Sequence, residues 1–237
     1  MQHPPTADSA RISEIFSSLQ GEGPYAGERH IFIRFEECNI HCTYCDELEK
    51  IGVETSLEDV MTTVLKLEAE DGPHSFVSLT GGEPLIYLQF LKPLLARLKA
   101  EGFQTYLETS GILWQALQNV ISDCDVIAMD LKPASVTGER NFYEEHREFL
   151  RLAKSKPVFA KMVASKAISV EEFDELIDVV REEAPEMPVI LQPVSGTIEG
   201  HEDPGLMKLL VELQRRAMRE IPDVRIVPRL HKILKIR

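Results

Sequence analysis

Short apolar runs alternate with longer amphipathic stretches along most of the chain, from about residue 30 onward. Short apolar runs bounded by turn residues favour strands, and apolar residues that recur every three or four positions favour helices. The predicted strands are 30–35, 75–79, 104–108, 126–129, 158–163, 189–192 and 224–227. The predicted helices are 57–70, 88–100, 112–120, 142–153, 170–183 and 204–220.

The helix over residues 57–70 carries the most complete set of signals. Thr55 and Glu58 fit a capping box, in which two side chains satisfy free backbone N–H groups at the start of a helix. An apolar stripe along the same stretch predicts the face that packs on the core. This stripe consists of Val60, Val64 and Leu67.

The alternation predicts a parallel sheet with helices outside it, because parallel neighbours need crossover connections that are usually helical. Six strand–helix units fit into about 200 residues, fewer than the roughly 250 of a complete eightfold barrel. We therefore predict an α/β fold, a partial (β/α)6 barrel, in a single domain over residues 11–237. Residues 1–10 are predicted to be disordered. Residues 12–16 are predicted to add an edge strand before a Gly-rich loop, 17–28, that is exposed or lines a site.

Composition narrows the possible partners. The chain carries 26 Lys and Arg against 39 Asp and Glu, a net charge of −13. A surface that tracks phosphates needs clustered basic residues, and the one such cluster, 225–237, is interpreted as a solvated face. No apolar run approaches the roughly 20 residues of a membrane helix, and the first residues lack the apolar stretch of a signal peptide. We expect a cytoplasmic protein that binds neither nucleic acid nor membrane.

Three cysteines, Cys38, Cys42 and Cys45, lie within eight residues. In a cytosolic chain such crowding favours a metal site over disulfides. Structural zinc usually pairs two short cysteine motifs, and the sequence has no second motif, whereas soft thiolates suit iron–sulfur clusters. An iron–sulfur cluster with one open iron is therefore favoured. The alternatives are zinc held by these cysteines and His41, or chance spacing of structural thiols. Cys124 is predicted to be a buried or strand-edge thiol.

Polar residues also recur where successive predicted strands end. In a parallel barrel these ends share one rim, and functional sites are built there. One such residue alone is more often exposed or capping than functional, but recurrence after several strands indicates a site. The rim candidates are the segments 80–84, 108–111 and 130–133, Lys161 and the segment 192–195.

The cysteine spacing, with Tyr44 before the third cysteine and Thr80-Gly81-Gly82-Glu83-Pro84 after the next strand, resembles the radical S-adenosylmethionine (SAM) superfamily. This resemblance implies a [4Fe-4S] cluster on Cys38, Cys42 and Cys45. In that superfamily the open iron binds the amino and carboxyl groups of SAM. An electron from the cluster then cleaves SAM and yields a 5′-deoxyadenosyl radical.

Further segments resemble the 7-carboxy-7-deazaguanine synthase family: 14–23, Gly27, 32–35, 80–84, 108–111, 130–135, 192–194 and 230–234. The resemblance implies ring contraction of 6-carboxy-5,6,7,8-tetrahydropterin to 7-carboxy-7-deazaguanine with loss of ammonia, in queuosine and 7-deazapurine biosynthesis. SAM would act as a reusable cofactor. A homodimer and a flavodoxin or ferredoxin reductant are also implied.

By matching positions, the resemblance implies two sets of site residues. The expected pterin contacts are Leu19, Gln20, Gly21, Arg34 and Thr80. The expected SAM contacts are Gly82, Glu83, Glu108, Ser110, Asp130, Lys132, Gln192, Pro193, Val194 and Ser195. Bidentate pairing of a guanidinium with a planar carboxylate gives a physical reason for Arg34.

One position departs from the family pattern. The residue two after the third cysteine is typically Thr in the family and helps to bind magnesium, whereas this chain reads Cys45-Asp46-Glu47. Carboxylate oxygens suit Mg²⁺, so Glu47 is expected to coordinate the ion with Asp46 nearby. The opposing hypothesis is an enzyme that is metal-independent or altered.

Two other functional classes compete with this interpretation. A radical SAM activase that installs a glycyl radical on a partner protein also has a short chain and three cysteines. It has no evident need for Arg34 or for the loop around Gln20. An electron carrier or zinc module would leave the rim residues without a role.

Overall fold

A single nine-stranded sheet organises the computed structural model, which describes residues 8–45, 50–194 and 203–236. The strands follow the spatial order β3-β1-β2-β4-β5-β6-β7-β8-β9. They are β1 Ser9–Leu19, β2 Arg29–Phe35, β3 Val53–Ser56, β4 Phe76–Gly81, β5 Thr105–Thr109, β6 Val126–Leu131, β7 Val158–Ala164, β8 Val189–Pro193 and β9 Val224–Ile226.

Helices connect the parallel strands. They are α1 Leu57–Asp71, α2 Leu88–Ala100, α3 Trp114–Leu117, α4 Ala134–Thr137, α5 Tyr143–Ala153, α6 Val170–Glu183, α7 Pro204–Ala217 and α8 Leu230–Leu234. Each step from β2 to β4, and then from β4 through β9, is a parallel pairing across a helical connection. The predicted partial barrel of strand–helix units is confirmed.

The beginning of the chain differs from the prediction. β1 pairs antiparallel with β2 along most of its length, and its first residues, Ser9 to Ile12, also pair with β3. Strand structure therefore begins inside the segment 1–10 that was predicted to be disordered, and residues 1–7 of that segment lie outside the described residues. β1 is longer than the predicted strand and is covered at its start. The sequence of β3, VETS, is too short and polar to signal a strand.

The start of α1 corrects the predicted cap by one residue. The hydroxyl of Ser56, the last residue of β3, accepts a hydrogen bond from the Asp59 backbone N–H at 3.1 Å, whereas the Thr55 hydroxyl donates to the Val53 carbonyl at 2.9 Å. The predicted helix over residues 112–120 is also too long, because only α3 forms within that range and a separate 3-10 turn, Ile121–Asp123, follows it. Ile112 instead packs in a small apolar cluster with Ile40, Cys42 and Phe142.

Packing leaves one end of the barrel open. Along β2, Ile31, Ile33 and Phe35 face the helices in the main core, while His30 and Phe32 point to the other side of the sheet. A second apolar cluster on that side is formed by Phe76, Tyr106, Val126, Ala128, Phe159 and Ile190. These residues lie in the first halves of their strands, so the carboxyl ends remain available for a site. No helix in the described ranges is long and apolar enough to cross a membrane.

Candidate functional site

A cavity of about 330 Å³ lies at the carboxyl ends of the strands. β1 and the loop after it supply one wall, β2 and β4 to β7 supply the rim, and α8 with the residues around it supplies another wall. The cavity brings together most of the predicted site residues. Those that line it are Cys38, Cys42, Cys45, Leu19, Gln20, Gly21, Arg34, Thr80, Gly82, Glu108, Ser110, Asp130 and Lys132.

The cluster loop, residues 38–45, is fastened to the segment after β6. Thr43 donates from its backbone N–H to the Thr137 carbonyl at 2.9 Å and from its hydroxyl to the Val136 carbonyl at 2.9 Å. The turn after β4 approaches the loop from the other side. A Cβ atom at Gly82 would lie 1.9 Å from the Glu37 carbonyl oxygen, so only glycine fits there.

The donor set fits an iron–sulfur cluster better than a single metal ion. Within the described residues, no three His, Cys, Asp or Glu side chains converge closely enough to hold one ion. Zinc would require such convergence, at about 2.3 Å from each sulfur, whereas a cluster is larger and its thiolates need not meet at one point. His41 is exposed and is tied through its backbone N–H to Glu139 at 2.7 Å. Zinc held by the cysteines and His41 is therefore not supported.

Cys124 lies away from the cavity, as predicted. Its side chain is fully buried, and its thiol donates weakly to the Val120 carbonyl at 3.5 Å. Burial raises the pKa of this thiol to about 12, which disfavours the thiolate that a nucleophile or metal ligand requires.

Glu108 lies between two residues that were predicted to contact the pterin. Gln20 donates from Nε2 to one carboxylate oxygen at 3.0 Å, and the Thr80 hydroxyl donates to the other at 2.8 Å. Burial raises the pKa of Glu108, and the nearby Lys161 ammonium opposes that shift. The Glu108 carboxylate therefore lies with Gln20 and Thr80, two expected pterin contacts, whereas Glu108 was itself expected to contact SAM.

Arg34 faces the same part of the cavity. Its guanidinium pairs with Glu14 at 2.6 Å and lies 5.1 Å from the centre of the Phe16 ring. Lys50 contacts the same Glu14 oxygen at 3.1 Å. Phe16 and Phe32 stack with their ring centres 5.1 Å apart and form an apolar wall beside these charges. A flat ligand with an anionic edge fits this combination.

A chain of alternating charges runs along the rim. Asp130 accepts from Lys132 at 2.7 Å and from Lys161 at 3.2 Å. Lys161 also pairs with Glu22, which in turn faces Arg229 at 3.3 Å. Burial alone would raise the pKa of Asp130, but the two ammonium groups outweigh it and lower that pKa. The opposite charges compensate one another at a largely buried position, as ions there require.

Glu83 does not line the cavity. It is fully buried, and its carboxylate accepts from the backbone N–H groups of Ser110 at 2.6 Å and Leu85 at 3.1 Å, and from the Thr109 hydroxyl at 2.9 Å. Burial is the main cause that raises its pKa. This placement does not support the expected contact with SAM. Through these hydrogen bonds Glu83 instead connects the turn after β4 to the end of β5.

The segment 192–194, at the end of β8, lies behind the cavity wall. Gln192 is fully buried and donates to Glu22 at 3.3 Å, and its Oε1 has no partner among the described residues. Pro193 ends β8, and the Val194 N–H bonds the Ala164 carbonyl at 2.9 Å. Ser195 lies outside the described residues, as do Asp46 and Glu47.

The structure corrects the interpretation of the basic segment 225–237 as a solvated face. Arg225 is solvated and pairs with Asp223, as expected, but Arg229 is 11% exposed and lines the cavity with His231 and Lys232. The Leu230 N–H bonds the Gly21 carbonyl at 2.8 Å. Charge pattern alone does not distinguish a solvated tail from one that folds back onto a site.

Sequence reasoning also missed residues from the loop after β1 and from β7. Glu22 was not predicted as a site residue, and Lys161 was predicted only as a strand-end signal. Both line the cavity, are largely buried and are paired with each other. The available signals were the Gly-rich loop that contains Glu22 and the position of Lys161 at the end of a predicted strand. Considered together, they could have identified this ion pair.

Comparison with known proteins places the chain in a well-defined group. The Radical SAM superfamily profile matches residues 32–183. The chain is 33% identical to a 7-carboxy-7-deazaguanine synthase from Geobacter sulfurreducens, over 95% of this chain and 97% of that protein. It is 31% identical to a protein of the same name from Methanopyrus kandleri, over 94% and 92% of the two chains.

Solved structures agree on the fold. QueE from Escherichia coli superposes with a TM-score of 0.63 at 22% identity, over 94% of this chain and 95% of that one. TYW1 with a lysine-pyruvate adduct bound superposes with a TM-score of 0.61 at 14% identity, over 83% and 75%.

Proposed function

The chain belongs to the 7-carboxy-7-deazaguanine synthase family of the radical SAM superfamily, and from that membership we propose that it contracts the ring of 6-carboxy-5,6,7,8-tetrahydropterin to 7-carboxy-7-deazaguanine with loss of ammonia. One observation carries the proposal: the three motif cysteines and the expected pterin residues open into the same cavity. Membership implies a [4Fe-4S] cluster and SAM. When bound, these supply a carbon radical that abstracts hydrogen. The names of the relatives do not favour the glycyl-radical activase.

The pterin end of the cavity is assigned to Arg34, Glu108, Gln20 and Thr80. Arg34 binds the substrate carboxylate, for which a guanidinium offers a bidentate donor pair. A pterin also carries a donor edge of guanidine type, and the Glu108 carboxylate is an acceptor aimed into the cavity by Gln20 and Thr80. We therefore assign Glu108 to the pterin. Leu19 and Gly21 also line this end of the cavity.

The SAM end is assigned to the residues beside the cysteines: Gly82, Ser110, Asp130 and Lys132. Gly82 lines this end, and the turn after β4 can pack there against the Glu37 carbonyl only because residue 82 has no side chain. SAM presents an ammonium and a carboxylate, which complement the Asp130 carboxylate and the Lys132 ammonium. Burial lowers the pKa of Lys132, but Asp130 outweighs that effect and raises it, so Lys132 stays charged.

In this proposal the ion pairs around the cavity also preorganise the site for reaction. They hold charged groups in fixed positions before substrate arrives, so little reorganisation is needed during reaction. Lys161, fixed by Asp130 and Glu22, keeps a cation at the rim. Phe16 and Phe32 exclude water from the wall beside Arg34.

The test is an anaerobic assay of the iron-reconstituted protein with SAM, reductant, Mg²⁺ and the pterin, with products identified by mass. We expect 7-carboxy-7-deazaguanine from the wild type and none from Cys42→Ala. Cys124→Ala is the matched control, since it removes another buried thiol that lies away from the cavity, and it should retain activity. If 5′-deoxyadenosine forms without the ring-contracted product, the substrate assignment is wrong.

The magnesium site is proposed on Glu47, with Asp46 nearby. Support comes from the sequence, because carboxylate oxygens are preferred Mg²⁺ ligands. Turnover of the wild type should depend on Mg²⁺, and Glu47→Thr should shift the concentration needed. Glu49→Thr, a nearby carboxylate outside the motif, is the control and should leave that dependence unchanged. Wild-type turnover that is indifferent to Mg²⁺ would contradict the proposal.

Two partners complete the proposal. The enzyme takes its electron from a flavodoxin or ferredoxin and works as a homodimer, as family membership suggests. Reduction of the cluster by each carrier, followed by electron paramagnetic resonance, tests the first. The molar mass of the holoenzyme in solution tests the second.

A further inference from the structure

His146 is a buried imidazole in the first turn of α5, beneath the SAM end of the cavity. Its side chain has no exposed surface. One ring nitrogen, Nδ1, lies 2.9 Å from the Gly111 carbonyl oxygen, and the other, Nε2, accepts from the Lys132 backbone N–H at 3.2 Å. The ring therefore joins the loop after β5 to the end of β6.

These two partners determine the protonation of the ring. A carbonyl oxygen can only accept, so Nδ1 must carry a proton, and a backbone N–H can only donate, so Nε2 must be bare. The ring is thus the neutral Nδ1–H tautomer. The charged side chains that face it are those of Lys132, Glu145 and Asp130. Burial lowers the pKa of His146 to about 4, which agrees with this neutral state.

Both loops that His146 joins carry residues of the SAM end. Gly111 directly follows Ser110, and the Lys132 N–H belongs to the residue whose ammonium pairs with Asp130. The loop after β5 is held at two adjacent residues, since Glu83 accepts from the Ser110 N–H and His146 bonds the Gly111 carbonyl. A shift of either strand end would move Ser110 relative to Lys132.

The same helix turn also supports the cluster loop. Phe142 lies four residues before His146, and the two rings contact each other with centres 6.3 Å apart. Phe142 packs against Ile40, Cys42 and Ile112. The start of α5 therefore lies directly beneath Cys42 and both SAM loops.

We propose that His146 is a positioning residue for SAM: as the neutral Nδ1–H tautomer it fixes the spacing between the carboxyl ends of β5 and β6 and so aligns Ser110 with Lys132. The residue touches neither SAM nor the pterin in this role. The inference rests on SAM as the ligand of this end of the cavity and not on the identity of the substrate.

Three substitutions separate the two hydrogen bonds. His146→Gln places an amide oxygen near the position of Nε2 and keeps an acceptor for Lys132. His146→Asn places an amide N–H near the position of Nδ1 and keeps only the donor to Gly111. His146→Phe keeps a ring and removes both bonds. The matched control is His30→Phe, because His30 is equally buried and bonds Ser78 at 2.7 Å, away from the cavity.

The measurement is equilibrium binding of SAM, and separately of the pterin, to the anaerobic cluster-loaded protein. We expect His146→Phe to weaken SAM binding tenfold or more and His146→Gln to weaken it less than threefold. Pterin binding should be unchanged in both, and His30→Phe should bind both ligands as the wild type does. Wild-type SAM affinity in His146→Phe would overturn the proposal. An equal loss for SAM and pterin would also overturn it, because it would indicate a structural role alone.

A spectroscopic measurement tests the tautomer independently of binding. In holoenzyme labelled with [15N]histidine, the signal that disappears in His146→Phe should show a protonated Nδ1 and a bare Nε2 at neutral pH. A protonated Nε2 would contradict the proposal. If His146→Phe does not fold, the Gln and Asn variants carry the binding test, since each breaks one of the two bonds and the proposal requires both to weaken SAM binding and to leave pterin binding unchanged. Failure of the pterin assignment would leave each of these SAM results unaffected.

Discussion

Two fully buried histidines, His30 and His146, show how the position of one residue type sets its effect. His30 bonds the Ser78 hydroxyl and is surrounded by the rings of Phe32, Phe76 and Tyr106. His146 bonds two backbone groups of the site loops. Burial lowers the pKa of each to about 4. Both are therefore neutral in the folded protein at mildly acidic pH, where an unfolded chain binds protons at the same residues.

Stability should consequently fall as the pH falls below about 6.5, the ordinary histidine value. Between the folded and unfolded pKa values only the unfolded state takes up the proton, which favours unfolding. From about pH 7.5 to 5.5 we expect each of these histidines to reduce the free energy of unfolding by about 1.4 kcal/mol. Urea unfolding at both pH values measures this. His30→Asn should remove one such contribution, and an unchanged pH dependence would contradict the assignment.

Glu83 illustrates the same point for a carboxylate. A glutamate that follows Gly81-Gly82 at the end of a strand is a candidate ligand by its residue type and position. The sequence does not show which way its side chain points. In the fold its oxygens face the N–H groups of Leu85 and Ser110. Buried N–H groups must find acceptors, and this carboxylate meets that need.

At the scale of elements, helix ends depend on neighbours that lie far away in the sequence. Thr55 and Ser56 are adjacent hydroxyl residues before α1, and both are possible caps by composition. β3 pairs Thr55 with Ala10 and Ser56 with Ser9 of β1, and this pairing places Thr55 inside a strand. Ser56 is left at the junction, where its hydroxyl reaches the Asp59 N–H.

The cap can be tested by a pair of matched substitutions. Ser56→Ala should reduce the free energy of unfolding by about 1 kcal/mol, because one N–H at the start of α1 loses its acceptor. Thr55→Ala removes the neighbouring hydroxyl, which bonds only the nearby Val53 carbonyl in the described residues, and should cost less. Urea denaturation of both variants gives the comparison. An equal or larger loss in Thr55→Ala would restore the cap predicted from sequence.

α8 depends on a similar long-range contact. A Cβ atom at Gly21 would lie 2.0 Å from Nδ1 of His231, so the loop after β1 and α8 meet without room for a side chain. The contact holds the end of the chain against the cavity.

Gly21→Ala should therefore displace α8 and expose the end of the chain. We expect faster limited proteolysis of the C-terminal residues and a higher KM for the pterin. Gly27→Ala is the control in the same loop, because a Cβ there meets nothing within 4 Å, although its φ of +96° adds backbone strain. Gly27→Ala should lose stability while its C-terminal residues remain protected. Equal proteolysis of both variants would contradict the contact.

At the scale of the whole molecule, net charge and local charge are separate quantities. The chain carries a net charge of −13, but its cavity is lined by Arg34, Lys132, Lys161 and Arg229. Carboxylates such as Glu22 are drawn into the same region and pair with them. The outer surface holds many exposed ion pairs, of which Arg225 with Asp223 is one.

Removing one charge from each environment should separate them. Glu22→Gln leaves Lys161 and Arg229 with less compensation in a buried position, and we expect a loss of about 3 kcal/mol in the free energy of unfolding. Asp223→Asn makes the same chemical change in the exposed pair, and its effect should stay below about 1 kcal/mol. Urea denaturation at equal ionic strength measures both. Similar losses in the two variants would show that the rim pairs are screened by water.

Sequence pattern and short motifs predicted the strand–helix alternation, the partial barrel, the cysteine motif and about half of the residues that line the cavity. Those features depend on periodicity and on short motifs, which neighbouring residues express locally. Long-range packing decides that Glu83 connects a turn to β5, that Ser56 caps α1, that Arg229 and His231 line the cavity, and that His146 joins two site loops. Each of these depends on a contact between residues distant in sequence, and such a contact exists only after the strands have paired and the helices have packed.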